Sequence, residues 1–451
     1  MELQGANVLV VGLGKSGVAA ARLLLAQGAH VIGNDLRGAS DLPAEALALR
    51  EQGVRLALGD HDPALFTGVD RIVLSPGVPH SPALAAAEGA GVPISSEVEL
   101  AAQFVRGTLI GITGTNGKST VTTLVGDMCR RSGQPTFIGG NLGTPLCDCA
   151  GSPAAEAGGY VVAELSSFQL ERAGSMRAHV AALLNVTDDH LDRYPSFDAY
   201  AAAKGNVFRN QTPADAALVP SGDALCERLA HSGHGALHRF GGGDGEVRAL
   251  GSDLADLESG LRVPLASLRI AGRHNRDNAC AAALAARLAG IAPAHIAAEL
   301  TSFAGLPHRM QHVRTLDGVD YYDDSKATNV GATAAALDGL SGRPGRVVLI
   351  AGGRDKGGDY APVALRMRAC GRAAVLIGEA APLLQRALQG GGYPVELARD
   401  MREAVERARA LSRAGDAVLL APACSSFDMF RSYAHRGEVF CEAVHALKGV
   451  P

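Results

Sequence analysis

The stretch that most constrains the fold is TLIGITGTNGKSTVTTLV, residues 108–125. An apolar β-type run (Leu109, Ile110, Ile112) enters a loop holding Gly111, Gly114 and Gly117. Lys118-Ser119-Thr120 then opens a segment compatible with a helix. Strand, glycine loop and helix in this order turn backbone N–H groups toward phosphate oxygens at a positive helix N-terminus. Lys118 adds a full charge, and the Ser119 hydroxyl is a Mg2+ ligand of the right type. The loop departs from the plain Walker spacing, because the position five before Gly117 is Ile112 and the glycines stand at 111 and 114. A nucleoside triphosphate site on a variant loop is the expectation, and a bare surface connection is the alternative.

Such a unit needs a parallel sheet, and 451 residues allow two to four domains, each with its own core. With 47% hydrophobic and 20% charged residues the composition is that of a soluble globular protein. The formal net charge of −4, without a lysine-arginine cluster, excludes the electrostatic footprint of a nucleic-acid binder. The eight cysteines form no CxxC pair, so reduced, buried thiols and a cytoplasmic location are expected. Glu2 followed by a β run is unlike a secretion signal, and no apolar stretch is long enough for a bilayer.

Upstream, Asn7–Val11 reads as a buried strand running into Gly12-Leu13-Gly14-Lys15-Ser16-Gly17 and an alanine-leucine helix through Ala26, with Gly28 as its cap. A second strand, His30–Gly33, ends at Asn34-Asp35, about twenty residues past the loop, where a dinucleotide-binding unit places an acid. The pattern leaves open a nicotinamide or flavin, another nucleotide or nucleotide-sugar, or a tight turn without ligand. Strands at 71–74 and 92–94, with the rigid turn Ser75-Pro76-Gly77-Val78-Pro79 between them, complete a first domain over residues 1–97.

A central domain, 98–304, carries the phosphate loop. Phe137–Gly143 reads as a strand end and glycine turn with Asn141 placed to donate to a ligand or merely to make the turn. Tyr160–Ala163 ends in Glu164-Leu165-Ser166-Ser167-Phe168-Gln169, which puts a carboxylate where a Mg2+-binding acid belongs beside a phosphate loop. Val180–Asn185 leads to Asp188, Asp189, His190 and Asp192, a cluster suited equally to metal or to helix capping. Lys204, in a helical alanine run, earns nothing better than a solvated face from its surroundings. Residues 213–268 alternate short β runs with glycine turns and show no chemistry. Asn275 and Asn278, three apart at a helix start, share a face.

The third domain, 305–451, repeats the strand-loop-helix pattern. Polar clusters follow three of its strands: residues 323–329 with Lys326 and Thr328, residues 352–358 with Lys356, and residues 422–428 with Ser426. Clusters at the C-terminal ends of parallel strands mark the ligand edge of an open α/β sheet. The fold class is therefore α/β in three domains: Rossmann-like, P-loop ATPase-type with a mostly parallel sheet, and dinucleotide-binding-like.

GITGTNGKST (111–120), ELSSFQLE (164–171), NVTDDHLDRY (185–194), GRHNRDNA (272–279), GLPHR (305–309), DSKATN (324–329) and GGRDKGG (352–358) together resemble the Mur ligases. The similarity covers all three domains and is closest to the branch that joins D-glutamate to UDP-N-acetylmuramoyl-L-alanine in cytoplasmic peptidoglycan synthesis, a step behind cell shape and division. The resemblance implies a UDP cradle in the first domain, with Lys15, Ser16, Asp35, Arg37 and Gly77, joined by Asn141 and Ser166 of the second. It implies ATP on Gly114, Thr115, Asn116, Gly117, Lys118, Ser119, Thr120, Asn275, Asn278, Arg309 and Asp324. One Mg2+ falls to Ser119 and Glu164. A second falls to His190 and to Lys204, which the family carries as a carbamate, and Mn2+ is a possible substitute. The amino acid falls to His190, Lys326, Thr328, Lys356, Ser426 and Tyr433, the last standing where a phenylalanine is expected. Lys118, His190, Lys204 and Lys326 are the catalytic candidates, and a monomer is implied. A ligase adding another amino acid, folylpolyglutamate synthase, and an NAD-dependent dehydrogenase using Gly12–Gly17 are the alternatives. The first domain argues against the folate enzyme, the central loop against the dehydrogenase.

Overall fold

The computed structural model describes residues 3–190, 193–270 and 272–449; Asp192 and Glu2 of the readings above lie outside them. Three sheets follow one another along the chain. The first is five-stranded and wholly parallel: β1 (Asn7–Val11), β2 (His30–Asp35), β3 (Arg55–Leu58), β4 (Arg71–Leu74) and β5 (Ile94–Ser96), in the order β3-β2-β1-β4-β5. β1 buries four of its five residues, as a central parallel strand must. β3 gave no sequence signal because none of its four residues is fully buried. The strand expected at 92–94 begins instead at Ile94, beyond Pro93, which has no N–H for a ladder.

The second sheet has nine strands: β6 (Thr108–Thr113), β7 (Thr136–Gly140), β8 (Tyr160–Glu164), β9 (Val180–Leu183), β10 (Ala216–Pro220), β11 (Ala236–Phe240), β12 (Val247–Leu250), β13 (Asp253–Asp256) and β14 (Arg262–Pro264). Their order is β14-β13-β12-β11-β10-β9-β6-β8-β7, and only the hairpins β12–β13 and β13–β14 are antiparallel. β6 thus lies inside the parallel part, between β9 and β8. The Lys118–Arg131 helix buries Val121, Leu124, Val125 and Met128 against the sheet. The alanine-rich Arg273–Leu288 helix packs on it, its small side chains letting the two backbones approach.

The third sheet comprises β15 (Gln311–Leu316), β16 (Val319–Asp323), β17 (Val347–Gly352), β18 (Gly371–Ile377), β19 (Val395–Leu397) and β20 (Ala417–Leu420), ordered β15-β16-β20-β17-β18-β19 with only β15 antiparallel. Its three central strands, β16, β20 and β17, are the ones followed by the polar clusters. The first and second sheets share one continuous apolar core, in which Val10, Leu24, Val98 and Leu100 belong to the same cluster as Leu109, Val161 and Phe208. All eight cysteines are free, and seven of them are buried. Among the described residues no helix is long and apolar enough to cross a membrane.

Candidate active site

The phosphate loop is held from beneath by the end of β9. Asn185 accepts from the Asn116 N–H at 2.9 Å and donates to the Asn116 carbonyl at 3.1 Å, while its own carbonyl receives the Thr115 N–H. Gly117 enters the helix at φ +85°, and a methyl group there would fall 2.3 Å from Asn278 Oδ1, so glycine is required on both counts. The Arg273–Leu288 helix therefore packs directly against the loop, with Asn278 donating to Asn275 at 3.3 Å. That places both amides on the face expected of them.

Two adjoining cavities, of 370 and 280 Å³, open over this loop between the second and third sheets. The larger is walled by Asn116, Gly117, Thr120, Asn275, Asn278, Arg309, Asp324 and Lys326. The smaller is lined by Thr115, Lys118, Ser119, Asn141, Glu164, Ser166, His190 and Lys204 from the second sheet, and Lys326, Thr328 and Lys356 from the third. Of the sequence candidates, these walls bring together nearly every one assigned to ATP, metal and amino acid. Gly114 meets them through its carbonyl. Tyr433 stands just behind, with the Lys326 ammonium 3.9 Å from its ring centre. Ser426 is buried in the neighbouring loop. Lys15, Ser16, Asp35, Arg37 and Gly77 line neither cavity and cluster instead at the C-terminal edge of the first sheet. There Asp35 accepts from the Leu13 N–H and from the Arg37 guanidinium. Burial opposes its ionisation, but those bonds win and hold its carboxyl down at about 2.

Charge is concentrated around the Gly114 carbonyl, which accepts from Lys118 Nζ at 2.9 Å and from Lys204 Nζ at 2.8 Å. Lys204 is only 2% exposed, so its solvated-face reading fails. The helix carrying it, Phe197–Gly205, lies with that side chain over the Tyr200 ring, inside the fold. Burial, with the Lys118 charge beside it, drives the Lys204 ammonium well below the ordinary lysine range. Lys118 is lowered for the same first reason. Across the cavity, burial and the Arg309 charge bring Lys326 down to about 8, and burial lifts Asp324 to about 7.

A carboxylate is built to receive a cation here. Glu164, 3% exposed, accepts from Asn141 Nδ2 at 2.6 Å through one oxygen, while its other oxygen is buried without a partner. An orphaned buried carboxylate oxygen is costly unless a cation completes it. Ser119 Oγ accepts from Arg309 Nη2 at 2.6 Å. With hard oxygen donors at Glu164 and Ser119, the residues fit Mg2+.

Two groups of residues escaped the sequence reading of roles. Asp189 was grouped with its acidic neighbours, yet it joins the second sheet to the third. It pairs with Lys356 at 3.3 Å and accepts from Asn329 at 3.0 Å, which help keep it ionised against its burial. Residues 213–268, silent in sequence, supply Ser221, Asp223, Phe240 and Gly241 to the larger cavity. Their only cue was that glycine turns followed β-type runs, which on a parallel sheet lie at its ligand edge.

Three family descriptions match the chain in order: "Mur ligase MurD-like, N-terminal domain" over residues 6–96, "Mur ligase middle domain" over 112–286, and "Mur ligase, glutamate ligase domain" over 308–424. The UDP-N-acetylmuramoylalanine--D-glutamate ligase of Anaeromyxobacter dehalogenans is 48% identical, with 97% of each chain covered. The chain belongs to the Mur ligase family. Another relative of the same name, from Syntrophotalea carbinolica, is 44% identical over 99% of both chains. Among solved Mur ligase structures, the UDP-N-acetylmuramate-alanine ligase of Thermotoga maritima shares the fold at 19% identity, with a TM-score of 0.59 over 98% of this chain and all of that one. A pseudomurein peptide ligase type C from Methanothermus fervidus does so at 18%, with a TM-score of 0.63 over 98% and 100%. Mur ligases use ATP and Mg2+.

Proposed function

We propose that this Mur ligase adds D-glutamate to UDP-N-acetylmuramoyl-L-alanine at the expense of ATP, through an acyl phosphate, in cytoplasmic peptidoglycan precursor synthesis. It is an ATP-dependent acid–amino-acid ligase, and its relatives at 42–48% identity over nearly the whole chain are named UDP-N-acetylmuramoylalanine--D-glutamate ligase. That level of likeness disfavours a ligase for another amino acid and the folate enzyme, and leaves the dehydrogenase without support. The observation that carries the chemistry is the convergence of Lys118 and Lys204 beside Glu164, faced by Lys326 and Lys356 from the third sheet.

The acceptor carboxylate attacks the γ-phosphorus, a P–O bond to the β-phosphate breaks, and ADP leaves. Lys118 and Arg309 balance the charge that builds on the phosphoryl oxygens. The glutamate amine then attacks the acyl carbon, and phosphate departs with its C–O bond. Lys326, with a pKa near 8, and Lys356 hold the amino acid's carboxylates, with Thr328, Ser426 and Tyr433 around them. His190, on the wall of the smaller cavity, orients the incoming amino acid, and the departing phosphate takes up the amine's proton. Ser119 and Glu164 would hold one Mg2+, and His190 with carbamylated Lys204 a second, Mn2+ being a possible substitute; ions held there would supply Lewis-acid neutralisation of the phosphates. A buried, neutral Lys204 amine is the form that reacts with CO2, losing a proton and becoming an oxygen donor. Lys15, Ser16, Asp35, Arg37 and Gly77 cradle the UDP, with Asn141 and Ser166 reaching the far end of the substrate. The ATP base lies toward Asn275 and Asn278. We place the domain boundaries after residues 97 and 304, and the working form as a monomer in the cytoplasm.

Phosphate release with UDP-N-acetylmuramoyl-L-alanine and each candidate amino acid in turn tests the assignment. Turnover requiring D-glutamate is expected. Equal turnover with no amino acid, or a preference for meso-diaminopimelate, refutes it.

A further inference from the structure

The three loops that carry Lys326 with Thr328, Lys356, and Ser426 leave different strands, yet they meet around one side chain. Arg436 stands in the first turn of the Tyr433–Ala446 helix and is completely buried. Its Nε donates to Ser325 Oγ at 3.0 Å and its Nη2 to the Ser325 carbonyl at 2.9 Å, both in the loop after β16. Its Nη1 faces the carbonyls of Cys424 at 3.2 Å and Ser425 at 3.3 Å after β20, and that of Gly352 at 3.5 Å at the end of β17. Every one of these acceptors is a carbonyl or hydroxyl oxygen.

Stability alone is a poor reason for an arginine here. A helix N-terminus repels cations, and the guanidinium, whose direct acceptors are all neutral, meets the Asp323 and Asp428 charges only through space. Burial accordingly lowers its pKa to about 10, which still leaves it charged at neutral pH. What the planar fork does offer is fixed geometry, with five N–H groups in set directions reaching three segments at once. The surrounding chain is shaped to admit it. A methyl group on Gly353 would lie 3.1 Å from Nη1 and 2.2 Å from the Ser425 carbonyl. Backbone bonds from Ala423 N–H to the Ala327 carbonyl (2.9 Å) and from Arg354 N–H to the Ser425 carbonyl (3.0 Å) close the same three loops around the guanidinium.

We propose that Arg436 is a positioning residue for the incoming amino acid: its guanidinium sets the spacing of the three loops, and so of the four side chains that receive the substrate. The inference rests on the reading of Lys326, Thr328, Lys356 and Ser426 as the amino-acid site. It touches neither the phosphate loop nor the first domain, and of the residues assigned to ATP only Asp324 stands on a loop it holds, so its effect falls chiefly on one substrate.

The test is steady-state phosphate release by the full chain, with KM measured for each substrate. Arg436→Lys keeps the charge but not the fork. It is expected to raise the KM for D-glutamate at least about tenfold, since shifts near an ångström in positioned groups cost that much or more. The KM for the UDP substrate should stay within about twofold, and that for ATP, which meets the same loop at Asp324, should rise by much less than that for D-glutamate. Val444→Ala, buried on the same helix but in the core on the other side, is the control for mere destabilisation. If both variants alter the three KM values alike, the role is structural and the inference fails. Should Arg436→Lys not fold, Ser325→Ala, which deletes the hydroxyl that accepts from Nε and donates to the Tyr433 carbonyl, carries the same test. A selective rise of severalfold supports the inference and an unchanged KM overturns it. Lys356→Ala separates the two layers. If it leaves the D-glutamate KM unchanged, the reading of the site fails. If it raises that KM while Arg436→Lys does not, only the inference fails.

Discussion

Glu97 lies where the first domain meets the second, at the start of the short Glu97–Ala102 helix, with no exposed surface. One carboxyl oxygen accepts from the Cys147 N–H at 2.6 Å, and the other is buried without a partner. Burial, aided by nearby Asp148, lifts its pKa from an ordinary 4.5 to about 7, although the bonds from Cys147 work the other way. Because the folded chain holds this proton more tightly than the unfolded one, stability is highest at low pH and declines as pH rises from 4.5 to 7. Above pH 7 both forms are ionised and the loss is complete. At 1.36 kcal/mol per pKa unit the full loss is about 3.4 kcal/mol, of which about 2.5 kcal/mol falls between pH 5 and 8.5. Glu97→Gln has the same shape but does not titrate, so its stability relative to wild type should improve by that amount across this range. For a cooperative unit of this size the gain is roughly 5–10 °C in Tm. Thermal unfolding of both proteins at half-unit pH steps, followed by calorimetry, reads the difference directly. Parallel Tm curves from pH 5 to 8.5 would show that Glu97 is not held protonated by the domain interface.

Lys204→Ala should lose at least ~100-fold in turnover, more than an outer partner of a metal site costs, and regain part of it with added formate or acetate; full activity without rescue refutes the carbamate. Tyr433→Phe keeps the ring beneath Lys326 and should change the D-glutamate KM by less than about twofold. Tyr433→Ala removes a contact of roughly 0.5–2 kcal/mol and should raise that KM between about twofold and thirtyfold. Equal KM values for the two variants would show the ring is idle.

Much of this architecture was legible along the chain because parallel strands buried on both faces read as unbroken apolar runs. β1, β6, β8, β17 and β20 announced themselves in that way, and each is followed by a loop with special chemistry. β3 did not, since its side chains are only half-buried and its pairing with β2 supplies what its own sequence lacks. The loop at 111–120 and the cluster after β17 were visible because they combine glycine with charge at strand ends, and the clusters after β16 and β20 because they gather charged and hydroxyl side chains there.

Lys204 marks the limit of local reading. A lysine in an alanine-rich helix looks solvated, and only the packing of that helix places its amine 2.8 Å from the Gly114 carbonyl, ninety residues away in the chain. Arg436 and Asp189 likewise acquire their partners from loops of distant strands. By itself the sequence determined the three α/β units, the phosphate loop and the family, because periodicity and glycine spacing are local properties. The tertiary structure alone decided which charges share a cavity and which arginine ties the loops together. Those follow from strand order and from the loss of water around buried groups, and neither is written in any one segment.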